Sequence, residues 1–225
     1  MIKLRITFIV TAFIFSIALL SGIYVKTTYK DFNNENEPLE EFYIGLIPEN
    51  LFSMQLRYFD EDLDKSNIII AARCVDSSKF RPKCSTQEVE VVKVFKGDLL
   101  NGEIIEVAKF NSDLYKVDIN GKSEKGTNMS FTNEMQIGEY YLIFLDRKLD
   151  SHTEESIFIQ PEGFIIAPIF CYKEIVNKPY ESITNSGNWI DYKTVKDNEY
   201  FLMSQKNVDE MNAYKEKVLA KYPLD

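Results

Sequence analysis

The sequence predicts an all-β domain, a small barrel or sandwich, with one apolar helix before it and one amphipathic helix at its carboxy-terminal end. Three observations carry that reading. Residues 6–25 form an apolar run, short β-rich segments alternate with Gly, Asn and Pro turns between residues 67 and 172, and a helical stripe follows residue 207. A length of 225 residues fits one to two domains. With 45% hydrophobic residues and only nine Gly and seven Pro, the chain is neither collagen-like nor low-complexity. Acidic residues outnumber basic ones 35 to 26, so no nucleic-acid partner is expected. Three Cys and one His make a multi-ligand zinc site unexpected, and no cofactor is expected.

The first element begins with Lys3 and Arg5, followed by apolar sequence from Ile6 to Val25. Twenty helical residues cover roughly 30 Å, the thickness of a bilayer's hydrocarbon core. A secretory signal has a shorter apolar region of about 7–15 residues, although Ser16-Ile17-Ala18 is a small-x-small triplet that a signal peptidase could accept. Residues 1–25 therefore read as a transmembrane anchor or uncleaved signal that engages the lipid bilayer through residues 6–25. Secretion after cleavage is the alternative, and a buried core helix is a third. Lys26 and Lys30 follow the run, so the basic residues barely distinguish its two sides. A short amino-terminal tail before a signal-like segment normally stays inside, which places the remainder outside the cytoplasm. That remainder carries 24 basic and 35 acidic side chains.

Residues 26–45 read as a polar tether, rich in Asn and Glu before Pro38. A short helix is expected after Pro48. Ile68 to Ala72 is a short β-rich run, and Thr86 to Lys96 is the clearest strand, with Val89 and Val91 alternating with Glu88 and Glu90. At Val92-Lys93-Val94-Phe95 the apolar phase slips by one, which predicts a bulge or a strongly coiled strand. Glu103 to Phe110 is a third strand, and Asp113 to Ile119 runs into Asn120-Gly121, a two-residue hairpin signal. Tyr140 to Leu145 is apolar on both faces and predicts a central strand. Ile157 to Gln160 and Phe164 to Tyr172 are expected to form a hairpin around Pro161-Glu162-Gly163. Asn207-Val208-Asp209-Glu210 reads as the start of the last helix, capped by Asn207, with Val208, Met211, Tyr214, Val218 and Leu219 on its stripe.

This succession resembles the netrin-like domain, an OB-type β-barrel found in tissue inhibitors of metalloproteinases and in complement and netrin modules. Ser66 to Ala72 resembles the first barrel strand. Val89 to Gly97, ending Phe95-Lys96-Gly97, resembles the second, and Ile137 to Phe144 the Gly-x-x-Tyr-Leu strand that closes the barrel. The resemblance covers roughly residues 64–172. It implies an OB-type, netrin-like barrel over 46–172, followed by an extension with a terminal helix over 173–225, and an extracellular scaffold that mostly binds proteins. The family's inhibitors chelate zinc through a Cys at their mature amino terminus. Here the first Cys is Cys74, inside a predicted strand, so that mechanism does not carry over.

Candidate sites are few. Cys74 and Cys84 flank a nine-residue loop and would close it as a disulfide in an oxidising compartment, or remain two thiols near strand ends. Cys171 reads as a buried thiol and His152 as an exposed loop residue. Neighbouring Ser151 makes no catalytic triad with it, because neighbours in sequence cannot adopt triad geometry. Asp60, Asp62 and Asp64 have the first three ligand spacings of a calcium loop, but Lys65 and Ala71 stand where an EF-hand needs Gly and Glu; a solvated turn is the simpler reading. Trp189, Tyr180 and Tyr192 either cover an open barrel end or form an exposed aromatic binding patch. Asn128-Met129-Ser130 is a glycosylation sequon. With no catalytic residues or metal ligands grouped in sequence, the leading expectation is a membrane-tethered, extracytoplasmic, non-catalytic domain with an unknown protein partner. A structural or immunity-type envelope protein acting through its anchor is the alternative, and a hydrolase using carboxylates from distant strands comes third.

Overall fold

An apolar run without an acid continues as one helix, and the alternating segments that follow form strands. The computed structural model describes residues 2–28, 38–81, 84–110, 114–149, 156–182 and 187–225. The chain divides into two units, Met1–Asn36 and Glu37–Asp225.

The first unit is the helix α1 (Ile2–Thr28). Its described side chains are exposed, and the stretch Phe8–Lys26 is long and apolar enough to cross a membrane or to serve as a signal sequence. Ser16 satisfies its hydroxyl within the helix, donating to the Ala12 carbonyl at 2.9 Å.

In the second unit the elements in chain order are β1 (Tyr43–Gly45), α2 (Glu49–Asp64), β2 (Ile68–Cys74), β3 (Lys79–Arg81), β4 (Cys84–Lys96), β5 (Ile104–Phe110), β6 (Leu114–Ile119) and β7 (Lys122–Thr127). They continue with β8 (Tyr140–Leu145), β9 (Arg147–Lys148), β10 (Ile157–Ile159), β11 (Ile169–Cys171), β12 (Trp189–Asp191), α3 (Tyr192–Val195) and α4 (Gln205–Lys221). The unit is mostly β-sheet and carries the expected carboxy-terminal helix.

Eight strands form one sheet in the order β11-β8-β2-β4-β5-β10-β9, with β3 also paired to β4; the sheet as paired is open. β2, β4 and β5 are an antiparallel meander, β8 is antiparallel to β2, and β10 runs parallel to β5. β9 follows β8 after a single residue, Asp146, whose N–H donates to the Ile159 carbonyl at 2.8 Å. The phase slip in β4 is two bulges. Ile69 faces Lys96 but Ile70 faces Val94, and Ala71 faces Lys93 but Ala72 faces Val91, so Phe95 and Val92 are each skipped.

Tyr141 to Leu145 are all buried, as a doubly covered strand requires. On one face, Leu142 and Phe144 join Ile69, Phe170 and the helices, through Phe52, Phe59, Met211, Tyr214 and Val218. On the other, Tyr141, Ile143 and Leu145 meet Ile70, Val89, Val91, Ile105 and Phe158. α2 is amphipathic because Phe52, Gln55, Phe59 and Leu63 recur every three or four residues and are its buried positions.

Several expectations are corrected. The Asn120-Gly121 turn forms, with both residues at positive φ (55° and 81°), but its strands β6 and β7 belong to a separate sheet ordered β12-β1-β7-β6. β10 and β11 do not pair with each other; β10 lies beside β5 and β11 beside β8, because Phe164 and Ile166 between them are drawn into the core under the helices. The acidic run Asp60–Asp64 is the last turn of α2 instead of a free turn. α4 begins at Gln205 with Ser204 as its cap, whose hydroxyl accepts the Asn207 N–H at 3.2 Å; Asn207 itself lies buried inside the helix. Of the residues 26–45 read as a tether, α1 extends to Thr28 and 38–45 belong to the second unit, while 29–37 lie outside the described residues. Within 173–225, α4 packs into the same core as β8.

Candidate functional site: a cleft beside the carboxy-terminal helix

Between β11 and α4 the described residues form only the short elements β12 and α3, so the rest of that backbone needs partners from side chains. Three asparagines supply them. Asn177 Oδ1 accepts the N–H groups of Glu199 (2.7 Å) and Tyr200 (3.1 Å). Asn198 accepts from Lys178 N–H at 3.2 Å and donates to the Lys178 carbonyl at 2.7 Å. Asn133 donates to the carbonyls of Lys196 (2.8 Å) and Asn198 (2.7 Å).

These clamps deliver Glu199 to the free side of β11. There it accepts the Cys171 N–H at 2.7 Å, the Tyr200 hydroxyl at 3.0 Å and the Lys215 ammonium at 2.5 Å. The side chains of Lys215 and Glu199 are only 10% and 4% exposed, so this is a buried ion pair. Burial pushes the Glu199 carboxyl above its ordinary range even though Lys215 and three hydrogen bonds pull it down.

Beside that pair opens a cleft of about 440 Å³ between α4 and residues 172–177. Its walls include Ile175, Val176, Asn212, Lys215, Glu216 and Leu219. That volume lies in the range of about 300–1,000 Å³ usual for a binding site, and its walls mix charged, polar and apolar side chains. A second polar pocket holds only about 10 Å³, room for one water. Nearby, Lys109 is buried and donates to the carbonyls of Thr132 (2.8 Å) and Asn133 (3.0 Å); burial lowers its ammonium to about 8. Burial also raises the Glu134 carboxyl, whose Oε1 has no hydrogen-bond partner.

The residues singled out from sequence lie elsewhere. Trp189, Tyr180 and Tyr192 make no ring contact with one another. The Trp189 ring packs on Tyr115 at a centroid distance of 5.9 Å and lies so close to Gly126 and Gly187 that a Cβ on either would come within 2.9 Å of it. Tyr192 donates its hydroxyl to Asn133 Oδ1 at 3.1 Å, while Tyr180 is fixed by its own N–H on the Leu202 carbonyl. Trp189 therefore works as the lock of the four-stranded sheet.

The Cys74–Cys84 disulfide is also corrected. Cys74 sits opposite Val89, five residues along β4 from Cys84, or about 16 Å at the rise of a strand, far beyond disulfide reach. All three cysteines are free thiols, and burial raises each, Cys74 to about 11, away from nucleophilic chemistry. His152 lies outside the described residues. Asp60 is held by Lys217 (2.6 Å) and the Tyr214 hydroxyl (2.9 Å) as a tie between α2 and α4, and no group of metal-ligating side chains occurs among the described residues. In the sequon, Met129 and Ser130 are buried and both adopt φ near 50°, which leaves a glycan-transferring enzyme no extended acceptor.

Sequence reasoning missed the cleft and its ion pair, although one signal was present. Lys215 stands four residues after Met211 and seven after Val208, a charge on the apolar stripe of an otherwise regular helix. No family model matches the chain, and no curated protein matches its sequence.

Proposed function

We propose that this chain is a bilayer-anchored domain, held outside the cytoplasm by α1, that binds another protein without performing chemistry on it, on a barrel of the OB, netrin-like type. The observation that carries the binding reading is the open cleft beside α4, built on a buried charge pair and rimmed by exposed groups. The reactive side chains near it are committed elsewhere: Cys171 is buried, and Glu199 is saturated by three donors. The anchoring reading is supported by the apolar stretch Phe8–Lys26 of α1, with Lys3 and Arg5 ahead of that stretch.

The barrel reading is supported by strand connectivity. The three segments that resemble the netrin-like domain fall on β2, β4 and β8, which are neighbours in the sheet. The parallel β5–β10 pair and the one-residue step from β8 to β9, which itself pairs with β10, would bring the β9 end of the path back to β8. Such closure removes an exposed edge.

The test is a cross-linking pull-down from intact membranes, with the full chain as bait and a second bait in which residues 1–25 are replaced by an unrelated anchor. A saturable protein partner captured by both supports the reading. A partner lost with the native anchor indicates an envelope protein acting through that anchor, and no enrichment over an equally acidic control contradicts the binding role.

A further inference from the structure

The cleft has a geometric origin that also describes its occupant. Two contacts tie residues 173–177 to α4: Lys215 Nζ donates to the Lys173 carbonyl at 3.3 Å, and Asn177 Nδ2 donates to Asn212 Oδ1 at 3.2 Å. On the helix those anchors are three residues apart, about 4.5 Å along its axis. Four residues of extended chain reach up to about 13 Å. The excess arches away from α4 at Glu174, Ile175 and Val176, and the space beneath is the cleft.

The arch leaves groups unused. Among the described residues, no backbone N–H or C=O of Glu174, Ile175 or Val176 has a hydrogen-bond partner. Ile175 packs inward against the second core, while Val176 is 74% exposed. The charges are equally one-sided. Lys173 is paired with Glu139 and Lys215 with Glu199, whereas Glu174 and Glu216 on the two walls are exposed and have no ion pair among the described residues.

Resting on the protein-binding reading, we infer that the cleft holds an extended segment of the partner protein, with an apolar side chain against Val176 and Leu219 and lysine or arginine facing Glu174 and Glu216. Backbone pairing along the arch supplies affinity without regard to sequence, and the apolar contact and the two carboxylates supply selection. An acidic segment is repelled by the same two carboxylates.

The test uses the full chain in neutral detergent micelles at physiological salt and two dye-labelled peptides read by fluorescence anisotropy. One is acetyl-Lys-Val-Lys-Val-Lys-amide and the other its counterpart with Glu for Lys. The expected result is saturable binding of the basic peptide at least tenfold tighter than the acidic one. Glu174→Lys with Glu216→Lys should reverse that preference. Val176→Asp, at an exposed position that leaves the fold intact, should weaken the basic peptide's binding at least fivefold. Equal binding of both peptides, no saturable binding of either, or indifference to these substitutions overturns the inference. If the membrane pull-down still captures a partner in those cases, the binding role stands and only its assignment to this cleft falls; if it captures none, both fall.

Discussion

Replacing Lys215 with Met should destabilise the domain, and more so as pH rises. In the native chain the buried Glu199 carboxylate has Lys215 at 2.5 Å, the Tyr200 hydroxyl and the Cys171 N–H as its donors. Lys215→Met leaves the anion with two neutral donors in a site where its side chain is 4% exposed. Breaking a buried pair on one side costs about 3–5 kcal/mol. For a unit of this size each kcal/mol moves the midpoint by about 2–4 °C, so Tm should fall by about 6–20 °C. The pH dependence follows from the direction of the Glu199 shift. Burial already holds the folded carboxyl above its unfolded value, and losing Lys215 raises it further. The folded state then binds a proton that the unfolded state releases near pH 4.3, so the penalty is small below that pH and grows as pH climbs through the raised folded value. Trp189, the single tryptophan, reports unfolding by its fluorescence in urea. The expected outcome is a larger loss at pH 8 than at pH 5, with most stability restored in the double variant Glu199→Gln, Lys215→Met. An equal loss at both pH values, or a double variant as unstable as the single one, refutes this account of the pair.

Other outcomes follow from the same geometry. Gly126→Ala would place a Cβ 2.8 Å from Val117 and 2.9 Å from the Trp189 ring; a loss of about 1–3 kcal/mol with altered tryptophan emission is expected, and wild-type stability would remove Trp189 from its role as a lock. Lys109 has a folded ammonium lowered to about 8, so between about pH 8 and 10 the unfolded state binds more protons and folding is favoured by up to ~1.4 kcal/mol per pH unit. Urea curves should show the wild type gaining stability over Lys109→Met across that window, and a constant difference would contradict it. Thiol titration in denaturant without reductant should count three free cysteines; a count of one would mean that a disulfide forms after all. If the barrel closes, the amides of Asp146 and Leu149, bonded to the carbonyls of Ile159 and Ile157, should exchange hydrogen as slowly as those of β8; rapid exchange would place β10 off β9.

What the sequence made legible was local. Alternation located β4, its phase slip located two bulges, and Asn120-Gly121 located a hairpin, because each signal is written in consecutive residues. Long-range pairing is not written that way. Nothing near Ile157 indicates that it pairs with Glu106 about fifty residues earlier, so the Pro161-Glu162-Gly163 turn suggested a hairpin that does not form. α2 was readable only in outline, because Leu51, Met54, Leu56 and Tyr58 off its buried stripe blur the Phe52, Gln55, Phe59, Leu63 spacing. The cleft was hidden for the same reason as β10. Its charge pair joins Glu199 to Lys215 through space, and its arch arises from two contacts between a loop and a helix.

The most direct test of the binding role is site-specific photo-cross-linking on intact cells, with a benzophenone amino acid placed in turn at Val176 in the cleft and at Leu100, exposed in the loop between β4 and β5 and outside the cleft's lining. The account predicts one discrete adduct with a single protein from Val176 and none from Leu100. No discrete adduct from Val176, or the same diffuse products from both positions, would contradict it.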